Sequence, residues 1–155
     1  MSIAYRVQDY IAEHDVPWEP VRHQQSGSSR QAAKLAQVRP DRLAKAVLLE
    51  DRDGYVLAVI GADHRLDVSE LSSALQRELW LASEPELSKL FSDCAPGAVP
   101  PVGPAYGIPT VWDASLAEKP DVYFEGGDHR TLVHMSGVDF SDLMRPARSL
   151  PWRYH

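Results

Sequence analysis

The sequence predicts a single α/β domain of the α+β type over residues 1–155, with a mixed, mostly antiparallel sheet flanked by helices. Two turn signals carry that expectation. Asp53-Gly54 and Gly126-Gly127 each separate two apolar runs, and such hairpins outnumber the crossovers that a parallel sheet requires. The third observation is length: 155 residues is about one domain, without a repeat, a low-complexity tract or a boundary. A chain of that size buries roughly 68–70% of its unfolded surface and needs no disulfide or metal staple.

Taken in order, Ile3, Val7, Tyr10 and Ile11 recur at helical spacing, so residues 3–14 read as an amphipathic helix ended by Val16-Pro17. Trp18 to His23 alternates weakly and reads as a short strand. Ser26-Gly27-Ser28-Ser29 is a turn, and Ser28 with Gln31 forms a capping-box pattern opening a helix over 29–37. Pro40 separates it from a strand over 43–50, which turns at Asp53-Gly54 into a strand over 55–60. Val68, Leu71 and Leu75 make a helical stripe within 67–76, and Glu78 to Ala82 reads as a short strand. Ser83-Glu84-Pro85-Glu86 is a second capping box, opening a helix to about Phe91. Pro109 to Trp112, Asp121 to Glu125 and Thr131 to Met135 read as strands, and Ser136 to Met144 as a helix. The tail from Arg145 to His155 reads as irregular and aromatic.

Composition narrows the function classes. The net charge of −6 argues against coating long stretches of nucleic acid and against DNA as a partner. The charge is uneven, however. Residues 1–45 carry seven Lys/Arg against five Asp/Glu, and Arg30, Lys34, Arg39, Arg42 and Lys45 face only Asp41, a patch able to hold a few phosphates. One cysteine, Cys94, excludes an internal disulfide and a cysteine zinc cluster and fits a reducing compartment. No stretch approaches the ~20 apolar residues of a membrane span, and the first residues lack a signal-peptide core. A cytoplasmic location without a membrane partner is expected.

Between Cys94 and Asp113 the chain concentrates five of its twelve prolines and three of its nine glycines. Proline fixes φ and glycine opens φ > 0, so this segment reads as a stiff loop that is neither helix nor regular strand. Val99, Val102, Tyr106 and Ile108 make it too apolar for a surface linker. It is expected to line a site. Lys45 shares strand parity with Val47 and Leu49, where an ammonium needs water or an anion; it reads as a snorkelling lysine or as a fixed cation for a phosphate or carbonyl oxygen. Gly126-Gly127-Asp128-His129 reads as a hairpin, or as a nest of backbone amides for an anion with His129 as donor or proton carrier. His129 and His134 lack a third ligand at metal spacing, so no metal is expected. No nucleophile elbow and no phosphate-binding glycine loop occur. Cys94 reads as a small structural hydrophobe.

Several segments, in order, carry a resemblance. His23, Ser29 and Ala32-Ala33; Arg42 to Leu49 around Lys45; Gly97-Ala98-Val99-Pro100-Pro101; Pro109 to Asp113; and Phe124 to His129 resemble the YbaK-like aminoacyl-tRNA deacylases, the family of the prolyl-tRNA synthetase editing domain. The resemblance implies a trans-editing hydrolase that removes a wrong, small amino acid from tRNA without cofactor or metal. The terminal ribose hydroxyl would assist the attacking water. It implies Lys45 and Gly97 as catalytic residues, Lys45 toward the phosphate or carbonyl region and Gly97 offering its backbone N–H to the ester carbonyl. Ser29, Pro101, Gly126, Gly127 and His129 would be the substrate-binding residues, Pro101 also stiffening the loop. The partner implied is the aminoacylated acceptor end of tRNA, with an aminoacyl-tRNA synthetase or elongation factor supplying further affinity. Ala98 stands where many relatives have a second glycine. The alternative is a non-catalytic regulatory or ligand-binding module on the same fold; a metal-dependent hydrolase would need ligands that the sequence does not group.

Overall fold

Strand β2 (Leu43–Asp51) sits at the middle of the sheet because it is apolar on both faces. The computed structural model describes residues 3–151. β2 turns through Arg52-Asp53 into β3 (Gly54–Gly61), and the two pair antiparallel from Asp51–Gly54 to Ala44–Gly61. The turn is held by Asp51, whose Oδ1 accepts from the N–H groups of Asp53 at 2.8 Å and Gly54 at 3.0 Å. Arg77 Nε donates to the other oxygen at 2.7 Å.

The remaining strands are β1 (Glu19–Arg22), β4 (Trp80–Leu81), β5 (Thr110–Asp113), β6 (Val122–Glu125), β7 (Thr131–Met135) and β8 (Arg148–Leu150). The sheet order is β1-β7-β6-β2-β3-β5-β8, with β4 also on β2. The pairs β1–β7, β6–β7, β2–β3 and β2–β4 are antiparallel, whereas β2–β6, β3–β5 and β5–β8 are parallel. The sheet is therefore mixed, as expected, with antiparallel pairs only narrowly in the majority.

Five helices flank it among the described residues: α1 (Tyr5–Glu13), α2 (Ser29–Ala36), α3 (Val68–Leu75), α4 (Glu84–Leu90) and α5 (Gly137–Leu143). Strand parity divides the core. Ala44, Leu48, Leu57, Val59, Phe124 and Val133 face α1 and α5 through Val7, Ile11, Phe140 and Leu143. On the opposite face Leu49, Val56, Ala58 and Ile60 meet Leu71 of α3, while Leu43 and Leu132 meet Ala32 and Ala33 of α2. Each fully buried Leu, Ile or Phe contributes roughly 1.5–3 kcal/mol, so both helix layers are secured by area rather than by polar bonds.

The helix starts follow their caps. Ser83 and Glu86 form a full capping box, the serine Oγ accepting from the Glu86 N–H at 3.4 Å and Glu86 Oε1 from the Ser83 N–H at 3.0 Å. At α2 only half of the expected box forms. Ser28 Oγ accepts from the Gln31 N–H at 3.1 Å, but Gln31 Oε1 accepts from Gly27, one residue earlier, at 2.5 Å.

Two sequence expectations are corrected. The stretch Cys94–Asp113 is not wholly irregular, because Gly103–Tyr106 forms a 3-10 turn with Pro104 in its first positions. The tail is not irregular throughout: Arg148–Leu150 adds β8 to the sheet edge, with Trp112 beside Ser149. The aromatic part, Trp152 to His155, lies outside the described residues.

One detail of register positions the candidate site. β6 pairs with β2 only at Leu43 and Ala44, and β4 only at Leu49 and Glu50, extended by the Ala82 N–H donating to the Leu48 carbonyl at 3.0 Å. Between them, at residues 45–47, no strand among the described residues pairs with β2 on that side.

Candidate functional site

At that gap lies a cavity of about 70 Å³. Its polar wall is the turn Ser26–Ser29, which caps α2, together with Glu125 and His129 at the end of β6 and the turn beyond it. Its apolar wall is Ala32, Leu43, Ala46, Val99 and Leu132, and Gly97 completes it. The cavity holds a handful of non-hydrogen atoms, since one water requires about 10–15 Å³ on this measure.

Three loops converge there through His129. Its Nε2 donates to the carbonyl of Pro96 at 2.7 Å, and because a carbonyl only accepts, Nε2 carries the proton. Its own carbonyl accepts from the Ser26 N–H at 3.1 Å and from Ser26 Oγ at 3.4 Å. Its N–H donates to Glu125 Oε2 at 3.2 Å. His129 holds φ of +63°, an uncommon value for a residue with a side chain. The same Glu125 oxygen accepts from Gly127 at 2.8 Å and Asp128 at 3.1 Å.

That last arrangement corrects the expectation of free amides. The Gly126–His129 turn does form an anion nest, but the anion is the chain's own Glu125 carboxylate. Nor do Gly126 and Gly127 line the cavity. Both are buried; a Cβ on Gly126 would collide with Ile3, and one on Gly127 would come within 3.1 Å of Ala4 and of Cys94 Sγ. They are glycines because the segment before α1 and the Cys94 loop press against them.

Gly97 is different. It is exposed, lines the cavity and has φ of +80°. Its neighbours are tied down, Ala95 donating to the Gly127 carbonyl at 2.8 Å and Ala98 to the Ala95 carbonyl at 3.0 Å. The Gly97 N–H itself meets no acceptor among the described residues. Pro101 is buried behind the loop, beside Pro100 and Val102, where it stiffens without touching the cavity. Ser29, the first residue of α2, is on the wall.

Lys45 shares its face with Val47 and Leu49 as its parity requires, but it is not part of the cavity wall. Its Nζ donates to the His64 carbonyl, and Arg30 Nη2 donates to the adjacent Asp63 carbonyl at 3.3 Å. Burial, then the charge of Arg30, pushes the Lys45 ammonium below its ordinary pKa. The structure thus brings Ser29, Gly97 and His129 together and sets Lys45 to one side. His129 and His134 are not partners: His134 Nε2 meets Asp121 Oδ1 at 2.7 Å and its ring stacks on Tyr123. Among the described residues no three of His, Cys, Asp and Glu are grouped to hold a metal. Cys94 is half-buried beside Tyr106, and burial pushes its thiol up to about 12. That favours an inert thiol over a nucleophile.

Sequence reasoning missed Glu125 and Ser26 as wall residues, whereas Val99 belongs to the loop expected to line a site. The available signal for Glu125 was an acid directly preceding Gly-Gly-Asp, where a turn offers several amides to one carboxylate.

The family model described as the aminoacyl-tRNA editing domain matches residues 23–143. The chain belongs to that family. The match contains every wall of the cavity. Among solved structures, a candidate trans-editing enzyme for prolyl-tRNA synthetase aligns with a TM-score of 0.77 at 23% identity, over 95% of this chain and 94% of that one. A scaffold from work on computational grafting of linear epitopes aligns with a TM-score of 0.80 at 22% identity, over 95% and 94%. A candidate signal-transduction protein from Marinobacter aquaeolei aligns with a TM-score of 0.74 at 24% identity, over 94% of this chain but 30% of that one. These likenesses show that the editing-domain fold is shared. No curated protein matches the chain. No helix among the described residues is long and apolar enough to cross a membrane.

Proposed function

We propose that this editing domain is a free-standing, cytoplasmic deacylase over residues 1–155. It would hydrolyse the ester of a small amino acid attached to the wrong tRNA, acting in trans and without a metal. The observation that carries the reading is the Gly97 N–H, unpaired among the described residues, at φ of +80° on the wall of a small cavity. A preorganised donor there meets the charge that develops on an ester carbonyl when water attacks. The small apolar wall suits a short aliphatic side chain and excludes larger ones. No side-chain nucleophile is assigned, and the terminal ribose hydroxyl of the substrate positions the water. Ser29 contacts the sugar end, and Lys45 donates to phosphate oxygens once its bond to the His64 carbonyl is exchanged. The chain's net charge of −6 fits a grip limited to the acceptor end, with a synthetase or elongation factor supplying the remaining affinity.

One observation favours the second reading, a module that binds an aminoacyl end without cleaving it: Lys45 is engaged with a backbone carbonyl and not with the cavity. Deacylation of a panel of mischarged tRNAs, with and without EDTA, separates the two. Multiple turnovers unaffected by EDTA support the hydrolase. Stoichiometric binding with no release of amino acid supports the module, and loss with EDTA restored by zinc makes a metal the agent.

A further inference from the structure

We infer that Glu125 is the subsite for the α-ammonium group of the aminoacyl ester, so that the site accepts a free amine and rejects an N-acylated one. The inference rests on the aminoacyl-ester reading above.

Three observations carry it. Among the described residues Glu125 is the one carboxylate on the cavity wall, and no lysine or arginine lines it. Its position is fixed, because three consecutive N–H groups converge on Oε2 at 2.8, 3.1 and 3.2 Å. Its other oxygen, Oε1, draws no hydrogen bond from the described residues and is not a sealed atom. One oxygen would suffice to close the turn. The second is left as an anionic acceptor at the edge of a small space that otherwise offers hydroxyls, an imidazole and alkyl groups. The three turn amides meet one oxygen of the charge, and the lone pairs of the other remain open to a cation. An aminoacyl ester presents one cation close to its carbonyl, the α-ammonium, and a charge-assisted bond from it would set the carbonyl's distance from Gly97.

The test uses two amide analogues, 3′-(L-alanylamino)-3′-deoxyadenosine and its N-acetyl derivative, with binding to the intact protein measured by calorimetry. The wild type is expected to bind the free amine at least tenfold more tightly, and Glu125→Gln, which keeps an oxygen for the turn amides, is expected to erase that preference. Equal binding of both analogues by the wild type overturns the inference, even if the variant does not fold. So does a folded Glu125→Gln protein that still discriminates, or a wild type that binds neither analogue. Turnover separates the two ideas. Discrimination without hydrolysis of any charged tRNA keeps the subsite and removes the deacylase. Hydrolysis of N-acetylalanyl-tRNA as fast as of alanyl-tRNA keeps the deacylase and removes the subsite.

Discussion

His129 donates to the carbonyl of Pro96 at 2.7 Å, and Pro96 directly precedes the glycine whose N–H is left unpaired. In the proposed reading, a histidine 33 residues further along the chain would set the aim of Gly97 without reacting itself. His129→Ala should lower kcat about two- to tenfold with little change in KM. That is the span expected from one neutral hydrogen bond of about 0.5–1.5 kcal/mol. His129→Gln, which still offers an N–H, should recover part of the loss. If His129→Ala silences the enzyme and Gln restores nothing, a histidine acting as general base replaces this account.

Gly97→Ala tests a conformation more than a volume. A Cβ there would lie 3.8 Å from the His129 ring, ordinary contact, so the cost comes from φ of +80°. That strain is about 1–2 kcal/mol. It is relieved by turning the peptide, which moves the N–H. Deacylation should be nearly abolished while the melting temperature changes little. Pro101→Ala, behind the loop, should keep partial activity. A fully active Gly97→Ala protein would make the loop a connector.

Lys45→Ala should fold and lose roughly ten- to a hundredfold in kcat/KM, the value of a charge-assisted contact of about 1.5–3 kcal/mol. The loss should appear on tRNA and shrink on a minimal aminoacyl-adenosine lacking phosphate. Activity within twofold of wild type on both substrates would leave Lys45 as a brace for the His64 loop.

Asp51→Asn probes stability alone. Arg77 and the turn amides hold the Asp51 carboxyl well below the usual carboxylate range. A depressed folded-state pKa gives stability that is present above the unfolded value of about 3.9 and lost as pH falls below it. Asp51→Asn should therefore melt below wild type at pH 7, with the difference narrowing below about pH 4. A gap that stays constant from pH 7 to pH 2.5 would mean that packing of the turn, and not the ion pair, is responsible.

The local elements were legible where a side chain answers its own backbone. Ser83 with Glu86 is such a case, and Asp53-Gly54 marked the turn after β2 by residue type. Pairings between distant strands were not, because β2–β6 and β3–β5 leave no periodic trace. Strand β8 escaped for the same reason: three residues at an edge carry too little pattern. In the candidate site, glycine and proline marked a stiff loop, in which Gly97 has positive φ and Pro101 is buried. Glycine misled at Gly126 and Gly127, where close packing by Ile3, Ala4 and Cys94 demands it. An acid at the end of a strand, as Glu125 is, looks solvated until the turn folds over it.

The cavity wall is drawn from residues 26–32, 43–46, 97–99 and 125–132, and the contacts that close it, Ser26 to His129 and His129 to Pro96, span 103 and 33 residues. Closing these loops costs more chain entropy than the β2–β3 hairpin, whose strands are neighbours, so the cavity is expected to assemble after it. The same few hydrogen bonds can part without unpairing the sheet. In native-state hydrogen exchange the Ser26 amide should open at a lower free energy than amides of β3, giving the mouth of the cavity a breathing motion independent of global unfolding.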